Sequence, residues 1–153
     1  MIDYYIGVDP GTTGAVAMID KQGGVNVYDF ETMEALDALL AVKSFARATA
    51  CVEKVASMPK QGVSTTFKFG KNTGRVIGWL EALGIPFVEV TPTKWQKMVY
   101  DSGEKMADKK AQSLQVARKL FPAMLPMLKR KKDHNRADAL LIAEYCRKVN
   151  QNG

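Results

Sequence analysis

Residues 4–18 read YYIGVDPGTTGAVAM, and the rest of the chain is organised around this stretch. An apolar run ends on Asp9, a Pro-Gly turn follows at once, and a second apolar run begins at Ala15. The pattern predicts a β-hairpin with a carboxylate at its tip. Asp9 then has two interpretations. It caps the turn, as Asp often does beside Pro and Gly, or it is a functional group placed where a buried strand ends.

The composition favours a single α/β domain over residues 1–153, because a chain of 153 residues buries a core without disulfide support. No signal peptide or membrane-spanning run is visible, so we expect no membrane contact and a cytoplasmic location in a bacterium or a phage host, with an organelle origin left open. Cys51 and Cys146 are predicted to be buried, reduced thiols. One His and two scattered Cys exclude a zinc finger.

The positive charge of the chain is concentrated in one region. Residues 104–132 contain nine Lys or Arg against two acids, a local charge of +7, whereas the remainder, with 13 basic residues against 14 acidic ones, carries −1. A patch of this kind suits a polyanionic partner such as nucleic acid. The alternative is a solvated helix face followed by a charged loop.

The remaining pattern predicts a mixed five-stranded sheet flanked by helices. Strands one to three form an antiparallel meander, and strands four and five alternate with helices. The predicted later strands are 25–30, 49–53 and 85–90. The first predicted helix covers 32–46, with Thr32 as its cap and Met33, Leu36, Leu40 and Phe45 as its apolar positions. The next two cover 63–83 and 109–121, the latter capped by Asp108. The last helix is predicted to begin at Asn135 or Arg136 and to turn Leu141, Ile142, Tyr145 and Val149 inward.

The helix over 63–83 carries Gly70, Gly74 and Gly78 at every fourth position. Residues four apart lie on one helix face, so another backbone can approach this face closely. Each glycine costs the helix about 1 kcal/mol relative to Ala, which calls for compensation by packing. Two surfaces could pack against the glycine face: the sheet of the same domain, or a second copy of the chain.

Three acids occupy the ends of predicted elements: Asp9 after strand one, Glu53 after strand four, and Asp138 at the start of the last helix. If strand one neighbours strand four, the three carboxylates meet at one sheet edge. Such like charges repel unless a divalent cation neutralises them, and oxygen ligands suit Mg²⁺ or Mn²⁺. Two such ions roughly 4 Å apart activate water and stabilise the leaving oxygen of a phosphodiester. The pattern therefore predicts metal-dependent phosphodiester hydrolysis.

Four stretches resemble the RuvC family of Holliday junction resolvases, in the short form found in phages and organelles. They read DPGTTGA from Asp9, VEKV at 52–55 with MPKQG at 58–62, VTP at 90–92 with Lys94-Trp95, and DHNRADAL at 133–140. The resemblance implies an RNase H-like fold, a homodimer, and Mg²⁺-dependent paired nicking of four-way DNA junctions that leaves 5′-phosphate and 3′-hydroxyl ends.

The same resemblance implies roles for particular residues. Asp9, Glu53 and Asp138 match the first, second and last metal-binding acids of the family, and Asp133 or His134 is expected to serve in the fourth position in place of Asn135. The family's aromatic wedge after the second acid has no equivalent between Lys54 and Gly62. Met58 is a weaker substitute. Phe67 or Phe69 are further alternatives, but ordinary core or dimer packing is the favoured explanation for both.

Contacts to the DNA backbone are expected from basic residues around the acids. Such contacts position the DNA and make binding sensitive to salt, so recognition of a junction would rest on its shape and on dimer geometry. The predicted DNA-binding residues are Lys60, Lys94, Lys105, Lys109, Lys110, Lys131, Lys132 and Arg136.

Two rival functions use the same residues. The sequence from Asp9 to Gly14 also resembles the phosphate-binding hairpin of actin-like and sugar-kinase-like ATPases, but those enzymes need a second phosphate loop and a second domain, for which 153 residues leave no room. The other rival is a catalytically silent DNA-binding dimer, which Asn135 near the fourth ligand position makes conceivable. Among enzymes, a broader nuclease for branched DNA is the nearest alternative to a junction resolvase.

Overall fold

The computed structural model describes residues 1–54, 60–100 and 106–152. The strands are β1 (Tyr4–Asp9), β2 (Ala15–Asp20), β3 (Val25–Asp29), β4 (Ala48–Glu53) and β5 (Phe87–Val90). The helices are α1 (Glu34–Phe45), α2 (Val63–Leu83), α3 (Pro92–Val99), α4 (Lys109–Leu120) and α5 (His134–Gln151). Two short 3₁₀ helices, Pro122–Met127 and Lys131–Asp133, connect α4 to α5.

The strands form one mixed sheet in the order β3-β2-β1-β4-β5. β1 to β3 are an antiparallel meander, while β4 and β5 run parallel to β1 on its other side. The α/β class and the five-stranded mixed sheet predicted from the sequence are confirmed. Because β1 and β4 are parallel neighbours, Asp9 and Glu53 end at the same edge of the sheet.

Side chains alternate across the sheet, so each face has its own hydrophobic core. Ile6 and Val8 of β1 pack with α1 and α2, whereas Tyr5 of β1 and Cys51 of β4 pack with α3, α4 and α5. Because alternate residues of a strand share a face, Asp9 lies on the same face of β1 as Tyr5, and Glu53 lies on the same face of β4 as Cys51. Both acids are therefore on the α5 face of the sheet. The two acids therefore face the helix that carries Asp138.

Helix α5 packs directly against the backbone of β1 at Gly7. A Cβ atom on Gly7 would lie 2.1 Å from the backbone nitrogen of Ala143 and 2.2 Å from the carbonyl oxygen of Ala139. Only glycine leaves room for this contact, because the obstructing atoms are backbone. Asp138 precedes Ala139, and Asp9 follows Gly7 by two residues, so the same packing sets α5 above the acidic edge.

The prediction for α1 was wrong in its cap and in its buried face. The helix begins at Glu34 without a side-chain cap, and the Thr32 hydroxyl instead donates to the Asp29 carbonyl. The smaller stripe of Ala35, Leu39 and Val42 faces the sheet, because those residues follow the i, i+4, i+7 spacing of one face. Three of the residues that were predicted to pack are exposed: Met33, Leu40 and Phe45.

Helix α2 has the predicted bounds, but its glycine face does not pack on the sheet. Among the described residues, no atom would lie within 4 Å of a Cβ atom on Gly70, Gly74 or Gly78. Asn72, Val76 and Leu80 are the residues that turn inward. Packing on the domain's own sheet is therefore excluded as the reason for the glycines.

Other details of the helices follow the predictions closely. The Asp108 side chain caps α4 by accepting from the backbone N–H groups of Lys110 and Ala111. Cys51 and Cys146 are free and buried. Helix α5 begins one residue early, at His134, and Val149 is exposed near its end instead of completing the inward stripe. Within the described ranges no helix combines the length and apolarity of a membrane span, and the predicted location and single domain stay predictions.

Candidate active site

Asp9, Glu53 and Asp138 form an acidic cluster at the carboxyl edge of β1 and β4. Burial raises the pKa of Asp9 well above its usual range, and the negative charges of Asp138 and Glu53 raise it further. Charges act on one another in this way only over short distances. The structure thus brings the three acids to one place, as the strand order and the position of α5 require.

Asp9 both caps the turn and contributes a carboxylate to the acidic cluster, the two roles that the sequence left open. Its side chain is 5% exposed, and its Oδ1 accepts a hydrogen bond of 3.0 Å from the Gly11 backbone N–H. This bond closes the turn that follows β1. Asp9 is therefore a turn cap and also a member of the acidic cluster.

Glu53 is held by a buried tryptophan. The Trp95 Nε1–H donates a hydrogen bond of 2.7 Å to Glu53 Oε2. Trp95 is fully buried in α3, and its ring meets the Tyr100 ring edge-on. Burial raises the pKa of Glu53, and the indole N–H opposes this rise. The indole consequently fixes one oxygen of the carboxylate and stabilises its charged form.

Asp138 is held from the opposite side by α4. Burial raises the pKa of Asp138 to about 7, the Ser113 hydrogen bond and the Lys110 charge oppose the rise, and Glu53 adds to it. The Ser113 Oγ also lies 2.6 Å from the Tyr100 hydroxyl. Burial raises the pKa of Tyr100 to about 12, and the charges of Asp138 and Glu53 contribute to it. A chain of polar groups from α3 and α4 thus lines the cluster.

Asp133 does not join the other acids, contrary to the role expected for it. Its side chain is buried, and its Oδ1 accepts a hydrogen bond of 2.8 Å from Arg130 Nη2. The Arg136 Nη1 lies 3.6 Å from the same oxygen. Burial disfavours the charged form, but Arg130 and Arg136 outweigh it and lower the pKa of Asp133. The carboxylate is therefore committed to an ion-pair network at the start of α5.

His134 and Asn135 occupy the other two candidate positions. The Nδ1 of His134 is buried without a hydrogen-bond partner in the described part of the chain. Burial and the nearby Lys110 charge lower the pKa of His134, which favours a neutral ring. The Asn135 amide donates to the Thr13 hydroxyl in the β1–β2 turn. His134 thus keeps a free ring nitrogen, and Asn135 ties α5 to the turn that follows Asp9.

The predicted DNA-binding residues divide into three groups. Arg136 is engaged internally instead of facing DNA, since its guanidinium forms two hydrogen bonds of 2.7 and 2.8 Å to Asp29. Lys105 lies outside the described residues. The remaining six are exposed: Lys60, Lys94, Lys109, Lys110, Lys131 and Lys132. Of these, Lys110 is close enough to Asp138 to influence its pKa.

The wedge candidates are also separated by the structure. Met58 falls outside the described residues. Phe67 is 73% exposed on α2, so packing in the core of its own chain does not explain it. Phe69 is half-buried.

Donor chemistry decides which ion would fit the cluster. Across residues 1–54, 60–100 and 106–152, no three His, Cys, Asp or Glu side chains stand in the tight grouping of a metal site. The charges of Asp138 and Glu53 nevertheless raise the pKa of Asp9, and the charge of Glu53 raises the pKa of Asp138, which is the repulsion that a cation would relieve. Three carboxylates suit a hard divalent ion such as Mg²⁺, and the unpartnered Nδ1 of His134 offers a further donor. The residues present thus fit a divalent metal ion.

Comparison with solved structures identifies the fold. T. thermophilus RuvC in complex with Holliday junction substrate superposes with a TM-score of 0.62 at 19% identity, covering 100% of this chain and 97% of that one. The chain has a RuvC-like fold. A second RuvC structure from Thermus thermophilus gives a TM-score of 0.55 at 17% identity, covering 96% of both chains.

Among curated proteins, the chloroplastic Holliday junction resolvase MOC1 of Chlamydomonas reinhardtii is 36% identical over 95 residues. The match covers 62% of this chain and 10% of MOC1, so the RuvC-like chain spans only a small part of that relative's length. No family model matches the chain. The resemblance to RuvC-like resolvases inferred from the motifs is confirmed by these two independent comparisons.

Several residues around the acidic cluster were not predicted from the sequence. Ser113 and Tyr100 show no local signal, because a Ser in a helix and a Tyr at a helix end are common in any protein. Trp95 belongs to a motif of the resemblance, but its bond to Glu53 depends on how α3 packs. Asn72 was missed for the same reason. Its side-chain amide donates a hydrogen bond of 2.9 Å to the Gly11 carbonyl oxygen.

Proposed function

We propose that the chain is a structure-selective DNA endonuclease that resolves four-way junctions by paired symmetric nicks. The observation that carries this proposal is the cluster of Asp9, Glu53 and Asp138 at the edge of a RuvC-like sheet. MOC1, which matches part of the chain, is a Holliday junction resolvase. The coarser alternative is a nuclease with broad activity on branched DNA.

The chemistry we propose is hydrolysis of a phosphodiester to 5′-phosphate and 3′-hydroxyl ends. Asp9, Glu53 and Asp138 would hold Mg²⁺, or Mn²⁺ in its place, with His134 as a further ligand. Ions held by these residues would supply an activated water and stabilisation of the leaving oxygen. Trp95 and Ser113 keep Glu53 and Asp138 oriented, so the two carboxylates do not have to reorganise when substrate arrives.

The basic side chains position the substrate. Lys94, Lys109 and Lys110 are exposed on α3 and α4, the two helices that hold Glu53 and Asp138. Backbone phosphates bound there would pass close to the acids. Because such contacts read no bases, selection between junctions and linear DNA rests on the arrangement of two sites.

We propose a homodimer that uses the exposed face of α2. Paired nicks need two active sites related by two-fold symmetry. Val63 and Phe67 are strongly exposed near the start of α2, and Gly70 and Gly74 leave open space beside them. A second copy packed on this face would cover the apolar side chains and make use of the bare backbone.

Cleavage of a labelled four-way junction by Asp138→Asn tests the nuclease. The variant is expected to retain junction binding and to lose cleavage in Mg²⁺ by a factor of about 1,000 or more, since removal of a metal-binding carboxylate affects the chemical step. Glu81→Gln, on the exposed surface of α2, is the matched control and should cleave like the wild type. Cleavage by Asp138→Asn at the wild-type rate would refute the three-acid site.

The substrate class is tested by offering junction, fork, flap and linear duplex side by side. A resolvase should cut the junction symmetrically and leave the linear duplex intact. Similar rates on junction, fork and flap would replace the resolvase with a broader branched-DNA nuclease. Junction binding without nicks in either Mg²⁺ or Mn²⁺ would identify a silent binding protein.

A further inference from the structure

A positively charged cleft lies between α2 and the turn that follows Asp9. Its volume is about 200 Å³. Thr12 of the turn lines one wall, together with Phe30 and Glu31 after β3. The cleft is separate from the basic region that the sequence highlighted, because none of its residues falls within 104–132.

The other wall consists of one face of α2. Lys68, Lys71, Asn72 and Arg75 line it at relative positions i, i+3, i+4 and i+7, which share one side of a helix. Lys68 and Lys71 are exposed, and neither has an ion-pair or hydrogen-bond partner among the described residues. With Glu31 as the single acid of the lining, the cleft carries a net positive charge.

Two internal contacts make this wall rigid. Asn72 donates to the carbonyl oxygens of Gly11 at 2.9 Å and Thr12 at 3.4 Å, which ties α2 to the turn. The Arg75 guanidinium donates to the Phe30 carbonyl, and its Cζ lies 4.9 Å from the centre of the Trp79 ring. The helix face and the turn therefore form one preorganised surface, and Lys68 and Lys71 are left to interact with an external anion.

We propose that this cleft binds a backbone phosphate of the DNA through Lys68 and Lys71. The proposal rests on the nuclease function and extends it to a contact site on the opposite side of Asp9 from Lys110. The turn of residues 10–14 joins the two regions, since Asp9 precedes it and Thr12 lines the cleft. A strand lying across the acids thus meets basic side chains on both sides, α4 on one and α2 on the other.

The test is the salt dependence of junction binding in EDTA, where no cleavage occurs. Each phosphate contact contributes about 0.9 to the slope of log affinity against log salt concentration. Lys68→Ala/Lys71→Ala should lower the absolute slope by about 1 to 2 and weaken binding at least about tenfold in 150 mM salt. Lys68→Arg/Lys71→Arg should restore most of the slope, because the charge returns.

The matched control replaces two lysines at the far end of the molecule, of which Lys43 is exposed and Lys148 is half-buried. Lys43 on α1 lies near Gly84 at the end of α2, and Lys148 lies near the end of α5. Lys43→Ala/Lys148→Ala changes the net charge equally and should keep the wild-type slope. A wild-type slope in Lys68→Ala/Lys71→Ala, or an equal loss in the control pair, would overturn the cleft and leave the nuclease intact. Failure of the wild type to bind the junction would overturn both.

Discussion

Helices α5 and α2 both carry small residues, yet they use them in opposite ways. On α5, Ala139 and Ala143 press their backbone onto Gly7 of β1. On α2, Gly70, Gly74 and Gly78 face open space. Small residues at helical spacing therefore show that a close approach is permitted. They do not show whether the partner belongs to the same chain, because that depends on which face the apolar side chains turn inward.

The two helices differ in function for the same reason. α5 crosses the centre of the sheet above β1, and Ala137 and residues 139–146 are buried, while Asp138 is half-buried at the edge of the sheet. α2 buries Asn72, Val76 and Leu80 against the described part of the chain, whereas Val63, Phe67, Gly70 and Gly74 are exposed. In this interpretation α5 supplies the reactive centre, and α2 supplies the surfaces for a second copy and for DNA.

The largest expected effect comes from filling the contact between α5 and β1. Gly7→Ala places a Cβ atom about 2 Å from backbone atoms that have no freedom to move independently. We expect a loss of about 4 kcal/mol or more in the free energy of unfolding, measured by urea denaturation. Gly74→Ala is the matched control on α2 and should stabilise by up to about 1 kcal/mol. Similar stability changes in both variants would contradict the claim that α5 packs tightly on Gly7 while the glycine face of α2 is exposed.

The next effect concerns the buried charge that α5 carries. The folded-state pKa of Asp138 is raised from 3.8 to about 7, so the folded protein binds a proton more tightly than the unfolded chain. The stability it contributes is present below about pH 4 and is lost as the pH rises towards and beyond 7. In the absence of metal, the free energy of unfolding of the wild type should fall by on the order of 3 kcal/mol relative to that of Asp138→Asn between pH 4 and pH 8.

Thermal or urea unfolding in EDTA at several pH values measures this difference. Glu81→Gln on the exposed surface of α2 is the control, and its profile should run parallel to the wild type. Parallel profiles for Asp138→Asn would mean that α5 does not bury a charge at this site.

A smaller effect is expected from the single buried polar side chain of α2. Asn72→Ala removes the donor to the carbonyl oxygens of Gly11 and Thr12 in the turn after Asp9. Loss of a buried donor should cost about 1 to 3 kcal/mol of stability. Asn26→Ala, at an exposed position on β3, should change stability by less than about 0.5 kcal/mol. An equally small change in Asn72→Ala would mean that α2 does not fix the turn.

The smallest effect on the stability of the monomer is expected on the glycine face. Gly74→Leu adds a side chain at a position where none of the described residues would lie within 4 Å of its Cβ atom, so the fold should change in stability by less than about 1 kcal/mol. If a second copy packs there, the same variant should weaken the dimer at least tenfold in sedimentation velocity. An unchanged dimer would place the interface elsewhere on the molecule.

Much of the acidic site was predictable because its residues stand at the ends of elements. Asp9 and Glu53 end apolar runs, and Asp138 begins the stripe of a helix, so periodicity alone located them. The choice among Asp133, His134 and Asn135 was not predictable, because adjacent positions at a helix start differ only in the direction of the side chain. The structure separates them: Asp133 pairs with Arg130, Asn135 holds the turn, and His134 keeps an unpartnered nitrogen.

The sequence by itself determined the element order, the mixed sheet and the three acids, since these depend on local patterns of apolar residues, turns and charges. Tertiary structure alone decided which groups orient those acids and which glycines pack. Trp95 and Ser113 lie 42 and 25 residues from the carboxylates that they bond. Such pairs form only when separate helices pack on the same sheet face, and no local pattern records that geometry. Gly7 and Gly74 look alike in the sequence, and only the position of α5 distinguishes them.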